Sequence, residues 1–250
     1  MTRIVTLLTD FGTADGYVGE IKGVLASAAP EVTIVDVAHD VAPHDVDSAR
    51  LALARYWRRF PPGTVHLVVV DPGVGGSRAA IAVESEQRFL VGPDNGVLSP
   101  ALLHPSARSV ALPIPAHASP TFHGRDVFAP AAAALAKGTA LDALGSPCDM
   151  PIVRRTPEAT RRADGAVIGT VITVDRFGNA VTNLMARRGG TIELGGCVLP
   201  VRRTYGDVGR GEAVALVGSS GLVEIAVRDG SAAAMLGVQR GSEVVLRALG

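Results

Sequence analysis

The stretch RIVTLLTDFGTADGYVGEIKGVLASAAPEVTIVDV, residues 3–37, decides the reading of the fold. Ile4 to Leu8 is a short run of β-branched and leucine side chains, the composition of a strand buried on both faces. A polar turn containing Gly12 and Gly16 follows, and then Val18, Ile21 and Leu25 recur at helical spacing until Pro30 stops them. Val32 to Val37 is a second strand. Strand, helix and strand in succession form the repeating unit of a parallel sheet.

The same alternation runs outward from that stretch. Asp45 to Arg59 reads as a helix, with Val46, Ala49, Leu53, Tyr56 and Trp57 three to four residues apart, Asp45 placed to cap it and Pro61-Pro62-Gly63 ending it. Val65 to Val70, Ala79 to Glu84 and Arg88 to Val91 are further strands, and Ser99 to Leu103 is a short helix. Val127 to Lys137 is an alanine-rich helix closed by Gly138. The prediction is an N-terminal layered α/β domain with a mostly parallel sheet. From Gly165 onward helical periodicity fades. Short strands (Ala166 to Val174, Thr191 to Leu194, Val214 to Val217, Val223 to Val227, Glu243 to Leu246) lie between glycine-rich turns, which predicts a small antiparallel β barrel or sandwich. Pro147 to Asp164, rich in proline and charge, marks the joint. The chain is thereby divided into an N-terminal domain 1–147, a linker 148–164 and a C-terminal domain 165–250.

Composition bounds the function. With 250 residues, 47% of them hydrophobic, the chain can bury a sizeable core, and disorder is excluded. Basic and acidic residues balance at 24 each, which argues against a nucleic-acid surface or a polybasic membrane patch. Cys148 and Cys197 form no Cys-x-x-Cys and fit two reduced thiols better than a disulfide framework. A transmembrane helix needs roughly 18 consecutive apolar residues. The longest candidate, Phe128 to Ala136, is short and contains Pro130. The apolar run before Asp10 is too brief for a secretory signal. A soluble cytoplasmic protein is expected.

Several polar positions could carry chemistry. Asp10 stands where the first strand ends, and ligands of open α/β sheets gather at such ends. Its carboxylate suits the vicinal hydroxyls of a ribose, although an Asp there also suits a helix cap. Asp71-Pro-Gly-Val-Gly-Gly-Ser-Arg78 follows a strand but fails the dinucleotide fingerprint, because Arg78 holds the third glycine position and a strand pattern follows. Alone it reads equally as a Pro-Gly turn with a surface arginine. Phe122-His-Gly-Arg-Asp126 lies before the alanine-rich helix; His123 beside Gly124 can approach a ligand, and Asp126 fits the helix cap better than a catalytic role. His39-Asp40 and His44-Asp45-x-Asp47 match no strong zinc or calcium spacing. In the second domain, Asp175-Arg-Phe-Gly-Asn179, with Asn183 beyond it, and Gly218-Ser-Ser-Gly221 read as turns, the latter also as an anion nest.

In this order, the segments Thr9–Thr13, Ile34–Val37 with His39, Asp71–Gly75 with Arg78, Gly92-Pro-Asp-Asn-Gly96, Thr121–Asp126, Asp175 with Phe177–Asn179, and Gly218–Gly221 resemble the S-adenosylmethionine hydroxide adenosyltransferase family, relatives of fluorinase and chlorinase. The resemblance spans the whole chain. It implies a homotrimer whose active sites lie between the N-terminal domain of one subunit and the C-terminal domain of its neighbour. It also implies an Asp–Arg–His set in water-using members, here Asp71, Arg78 and His123. Fluorinase-like enzymes carry tyrosines at the positions of Asp71 and His123 and a serine at that of Gly124, so hydroxide rather than halide is the implied nucleophile. Substrate positions carried over are Asp10 for the ribose diol, Asp175 for the methionine ammonium, Asn179 for adenine and Ser219 for the methionine carboxylate. Ser220 stands where fluorinase has an arginine, and His44 replaces an aromatic wall residue.

The expected reaction is hydrolysis of S-adenosyl-L-methionine to adenosine and L-methionine by water attacking ribose C5′, with no cofactor and no metal. Bulk water has a pKa of about 15.7, so a base or cation must favour hydroxide. His123 or Asp71 can be that base, and Arg78 would stabilise the developing hydroxide. Phe122, Phe177 and Val74 suit the walls of a dry pocket. The alternatives are halide-dependent adenosyl transfer, non-catalytic binding of S-adenosylmethionine or adenosine, and a metal-dependent hydrolase built on His39 and His44.

Overall fold

The computed structural model describes residues 3–186 and 189–247, which fall into two compact units, 1–155 and 156–250. In the first, β1 (Arg3–Thr9), β2 (Val32–Ala38), β3 (Val65–Val69), β4 (Ala80–Ser85), β5 (Arg88–Pro93), β6 (Arg108–Leu112) and β7 (Ser146–Pro147) form one sheet, ordered β2-β1-β3-β5-β4-β6-β7. Pairings β1–β2, β1–β3 and β3–β5 are parallel, whereas β4–β5, β4–β6 and β6–β7 are antiparallel. The sheet is mixed, not mostly parallel as the sequence suggested. The cause is a hairpin: Ser85 pairs with Arg88, and the intervening Glu86 and Gln87 have φ of 47° and 60°. Two residues can reverse a chain but cannot carry a crossover.

Both faces of this sheet are covered, which is why β1 and β3 are mostly apolar without alternation, and the buried polar Thr6 and His66 meet each other at 2.8 Å. Helices α1 (Tyr17–Ala28) and, later in the chain, Ala129–Ala136 place Ile21, Leu25, Ala132 and Ala133 against Val5, Leu7, Leu67 and Val69. On the other face α2 (Val46–Tyr56), Trp57 and α3 (Ser99–Leu102) cover Leu8, Val68, Val70 and Ile81. Asp45 caps α2 as expected, its Oδ1 accepting from the Ser48 amide at 3.0 Å. The alanine-rich helix, α4, is shorter than expected: Val127 and Phe128 belong to a π turn over Gly124–Phe128. Because β1 connects outward to β2 while β3 lies on its other side, the crevice beyond the carboxyl ends of β1 and β3 is a topological switch point.

The second unit contains β8 (Thr160–Arg161), β9 (Val167–Val174), β10 (Ala180–Thr182), β11 (Thr191–Leu194), β12 (Cys197–Arg202), β13 (Ala213–Val217), β14 (Val223–Val227), α5 (Ala232–Leu236) and β15 (Glu243–Arg247). Seven strands close into a barrel, β10-β14-β13-β12-β11-β15-β9, with β9 returning to β10 and β8 added on β9. Here too the expectation is corrected, since β12 and β13 run parallel while the other pairs are antiparallel. They can do so because residues 203–212 intervene, including a short helical turn at Tyr205–Asp207, long enough to bring the chain back to the same end. Gly169 in β9 has no room for a Cβ, which would lie 2.2 Å from Asn183 Oδ1; that oxygen accepts the Thr170 amide at 2.7 Å. Cys148 and Cys197 are free thiols, and among the described residues no helix is long and apolar enough to cross a membrane.

Candidate active site

Asp71 leaves the sheet just after β3, and the chain turns twice, Val74 N donating to Asp71 O (3.2 Å) and Gly76 N to Gly73 O (3.0 Å). These turns fold Arg78 back onto Asp71. Its Nε donates to Asp71 Oδ1 at 2.9 Å, and its Nη2 donates to Asp71 Oδ2 and, at 2.8 Å, to His123 Nδ1. The Arg78 and Asp71 side chains are only 9% and 5% exposed. The guanidinium carbon lies 5.3 Å from the centre of the Phe128 ring. Gly75 has φ of 73°, and a Cβ there would sit 2.3 Å from Pro120 O, so only glycine lets this loop pack on the one that carries His123.

A guanidinium can only donate. His123 Nδ1 must therefore accept, which leaves the ring hydrogen on Nε2. Burial, and after it the Arg78 charge, hold the His123 pKa below the ordinary histidine value, while Asp71 and Asp126 pull the other way. The imidazole is neutral at neutral pH. Arg78 Nη1 is buried and has no hydrogen-bond partner among the described residues.

Asp71 and His123 open into a cavity of ≈ 400 Å³ whose lining also includes Asp10, His44, Val74 and Phe122. Asp10 does not cap α1, which starts after Gly16; its Oδ2 instead accepts from the His44 amide at 2.8 Å. His44 adopts φ of 69°, a left-handed conformation costly for a residue with a Cβ and held here at the cavity wall. Phe11, Tyr17 and Phe122 form an edge-to-face trio with centroids 6.0, 5.8 and 5.5 Å apart. Tyr17 and Pro43 line the cavity without having been singled out from sequence. Tyr17 opens α1, one residue ahead of the Val18, Ile21 and Leu25 periodicity from which the helix was read.

Asp126 is not a helix cap. It lies inside the π turn, where Oδ2 accepts the Ser119 amide at 2.8 Å and Arg125 pairs with it. That pairing, ahead of other causes, holds its pKa low. His39 and His44 do not share a site either. His39 Nδ1 lies 2.9 Å from Thr9 Oγ1 and Nε2 lies 3.1 Å from Asp36 Oδ1, and no metal-ligating cluster of three occurs among the described residues.

In the second unit, Asp175 organises a tight loop: Oδ1 accepts the Phe177 and Asn179 amides at 2.9 Å each, and Oδ2 accepts Asn179 Nδ2 at 3.1 Å. Asn179 is buried, whereas Phe177 is 76% exposed. Ser219 and Ser220 are exposed in a separate turn, closed by Gly221 N donating to Gly218 O at 2.9 Å. Tyr205, unmarked in the sequence, donates to Glu224 at 2.5 Å. Its phenol is pushed up to about 12 by that bond first, then by burial and by the charges of Glu224 and Asp175.

The sequence profile of the SAM hydroxide adenosyltransferase N-terminal domain matches residues 5–145, and that of the C-terminal domain matches residues 169–245. The chain is 46% identical to an (R)-S-adenosyl-L-methionine hydrolase of Thermus thermophilus, covering 98% of this chain and 99% of that protein. It is 40% identical to an (R)-S-adenosyl-L-methionine hydrolase of Salinispora tropica, over 97% of both. It superposes on the crystal structure of an uncharacterized conserved protein from Thermotoga maritima with a TM-score of 0.88 at 35% identity, covering 97% of this chain and 99% of that one. Two consecutive domain matches and full-length similarity lead to one conclusion: the chain belongs to the SAM hydroxide adenosyltransferase family.

Proposed function

We propose that this chain hydrolyses S-adenosyl-L-methionine to adenosine and L-methionine, with Asp71, Arg78 and His123 preparing the water that attacks ribose C5′. The observation that carries this reading is the Asp71–Arg78–His123 assembly, buried beside an aromatic-walled cavity at the switch point. Hydrolysis agrees with the two full-length hydrolases to which the chain is similar.

The departing methionine sulfur leaves as a neutral thioether and needs no acid. The difficulty lies in making and aligning the nucleophile. His123 Nδ1 is engaged by Arg78, so His123 serves through its Nε2–H as a donor to the water oxygen. Asp71 is then the base that takes a water proton. Arg78 holds both side chains and supplies positive charge as the oxygen becomes anionic. The C5′–O bond forms while the C5′–S bond breaks, its electron pair going to sulfur, and the remaining water proton stays on the new 5′-hydroxyl. Hydroxide meeting a sulfonium neutralises charge, so the aromatic wall of Phe11, Tyr17 and Phe122 favours the transition state. Asp10 accepts the ribose hydroxyls, its Oδ2 steadied by His44. Asp175 takes the ammonium, Asn179 the adenine, Ser219 the carboxylate with Ser220 beside it, and Phe177 covers the substrate.

Gly124 supports hydroxide over halide. A Cβ at this position would lie 3.3 Å from both Ile21 Cδ1 and Val69 Cγ1, so a halide-holding serine would be crowded. The candidate residues are split between the two units, and this supports a homotrimer with shared sites; light scattering tests it. The two-domain division at 148–164 goes with this reading, since the family profiles stop at 145 and resume at 169. The two free thiols suit a cytoplasmic setting. Turnover in isotopically heavy water tests the chemistry: the label must enter the adenosine 5′-oxygen. A 5′-halo product formed in chloride, or tight binding without turnover, overturns the reading.

A further inference from the structure

Gly92-Pro-Asp-Asn-Gly96 is a motif to which neither the cavity nor the charged set assigns a role. It ends β5 and lies behind the loop that carries Asp71 and Arg78. From the contacts there we infer that Asn95, seconded by Asp94, is a positioning residue for the Asp71–Arg78 pair, a role that rests on the hydrolase reading above.

The loop from Asp71 to Arg78 must hold three charge-assisted contacts at once, and its two ends are gripped by consecutive residues. At the entry, Asn95 Nδ2 donates to the carbonyl of Val70, one residue before Asp71, at 2.9 Å. At the exit, the Asp94 amide donates to the carbonyl of Ala79, one residue after Arg78, at 2.9 Å. The Asn95 side chain is itself fixed, its Oδ1 accepting the Val97 amide at 3.1 Å. Val70 is fully buried, so its carbonyl has no recourse to bulk water if Asn95 lets go. The platform under this brace is rigid. Gly92 approaches β3 so closely that a Cβ would lie 2.4 Å from Val68 O. Asp94 Oδ1 accepts the Ile152 amide at 2.7 Å, and Ser99 Oγ accepts the Arg154 amide at 2.7 Å.

The chemistry gives this brace its purpose. Arg78 bridges Asp71 and His123 only if the backbone at both loop ends stays in place, and misplacing a catalytic group by about 1 Å costs on the order of 10²-fold in rate. Among the described residues Asn95 makes no hydrogen bond to the charged side chains, and it does not line the cavity, so it reaches them through Val70. Its removal changes the rate of the chemical step and leaves substrate affinity nearly intact.

The test compares Asn95→Asp, which keeps the Oδ1 acceptor and replaces the donor by an oxygen facing Val70 O, with Asn95→Ser and with Ser99→Ala. The last frees the Arg154 amide and the Gly96 carbonyl, which Ser99 Oγ holds at 2.7 and 2.6 Å, and spares both loop-end contacts, so it separates a general loosening around the motif from loss of the brace itself. Adenosine release from S-adenosylmethionine gives kcat and KM, with kcat normalised to folded sites counted by substrate binding. The expected result is a 10- to 100-fold fall in kcat for both Asn95 variants, on the order set by a small misplacement, with KM nearly unchanged and Ser99→Ala close to wild type in kcat. Wild-type kcat per folded site in either Asn95 variant, or a rise in KM that accounts for the loss, overturns the positioning role while the hydrolase reading stands. An inactive wild-type protein overturns both.

Discussion

Arg78→Met offers the sharpest perturbation of the site, because it keeps an unbranched apolar stem and deletes the guanidinium with its charge and all its donors. Three donated hydrogen bonds disappear, two to Asp71 and one to His123. Two costs follow, and they are separable. The Asp71 side chain, 5% exposed, is left as a buried charge without its cation, and breaking such a pair from one side costs about 3–5 kcal/mol of stability. The developing hydroxide also loses its nearest positive charge, a loss comparable to deleting one oxyanion donor, about 10²- to 10³-fold in kcat or roughly 2.7–4 kcal/mol. Adding Asp71→Asn to Arg78→Met removes the stranded charge, so part of the stability returns while turnover does not. Arg78→Lys keeps the charge, but a compact ammonium cannot span both Asp71 oxygens and the imidazole, so about tenfold or more of kcat is lost. Urea unfolding and adenosine release, measured on the same preparations, separate the two effects. Turnover within threefold of wild type in Arg78→Met, or a double variant no more stable than the single, refutes the reasoning.

Three further outcomes follow from single side chains. His66 is 0% exposed, and burial, then the Arg88 charge, lower its pKa to about 3. Unfolded histidine titrates near about 6.5, so stability is complete above that pH. It falls by up to about 1.4 kcal/mol per unit as pH drops toward the folded-state value. Urea midpoints between pH 6.5 and 4 for wild type and His66→Gln measure the slope, and an equal slope in the two contradicts the assignment. His123 also has a lowered pKa, so kcat/KM should hold from neutral pH to below the ordinary histidine range and then fall as the ring protonates beside Arg78; an acid limb at or above about 6.5 contradicts this. Gly75→Ala would set a Cβ 2.3 Å from Pro120 O at φ of 73°, and is expected to cut kcat at least about tenfold by moving the loop before His123. Wild-type turnover in that variant would show the loop contact to be dispensable.

The buried centre of the fold declares itself in the sequence, and its edges do not. Val65–Val70 and Ile4–Leu8 are mostly apolar without alternation because helices cover both faces there. Arg108–Leu112 escapes notice because an exposed Arg108 begins it at the margin of the sheet. Cys197–Arg202 alternates half-buried and exposed residues and contains Pro200, a residue that argues against a strand. The mixed pairing followed from Glu86-Gln87, whose residue types do not advertise positive φ. The charged set is harder to see. Asp71 and Arg78 are seven residues apart, and His123 lies 45 residues beyond Arg78. No local spacing rule joins them; whole-chain resemblance pointed to them, while the residues alone allowed a plain Pro-Gly turn.

Strand register explains why Asp10 and Asp71 meet in one cavity although 61 positions separate them in the chain. Thr9 pairs with Val69 in the parallel β1–β3 ladder, so both strands end at the same level, and neighbouring strands lie about 4.8 Å apart. Asp10 follows Thr9 directly, and Asp71 follows Val69 after one buried residue, so the two carboxylates leave the sheet on adjacent strands. A one-residue slip would turn Val5 and Leu7 away from α1 and send Asp10 to the opposite face. The apolar side chains that hold the register therefore also set the position of Asp10, proposed to hold the ribose, relative to Asp71, proposed to take the water proton. This is why substitutions of Val5 or Leu7, which do not line the cavity, should disturb turnover as well as stability.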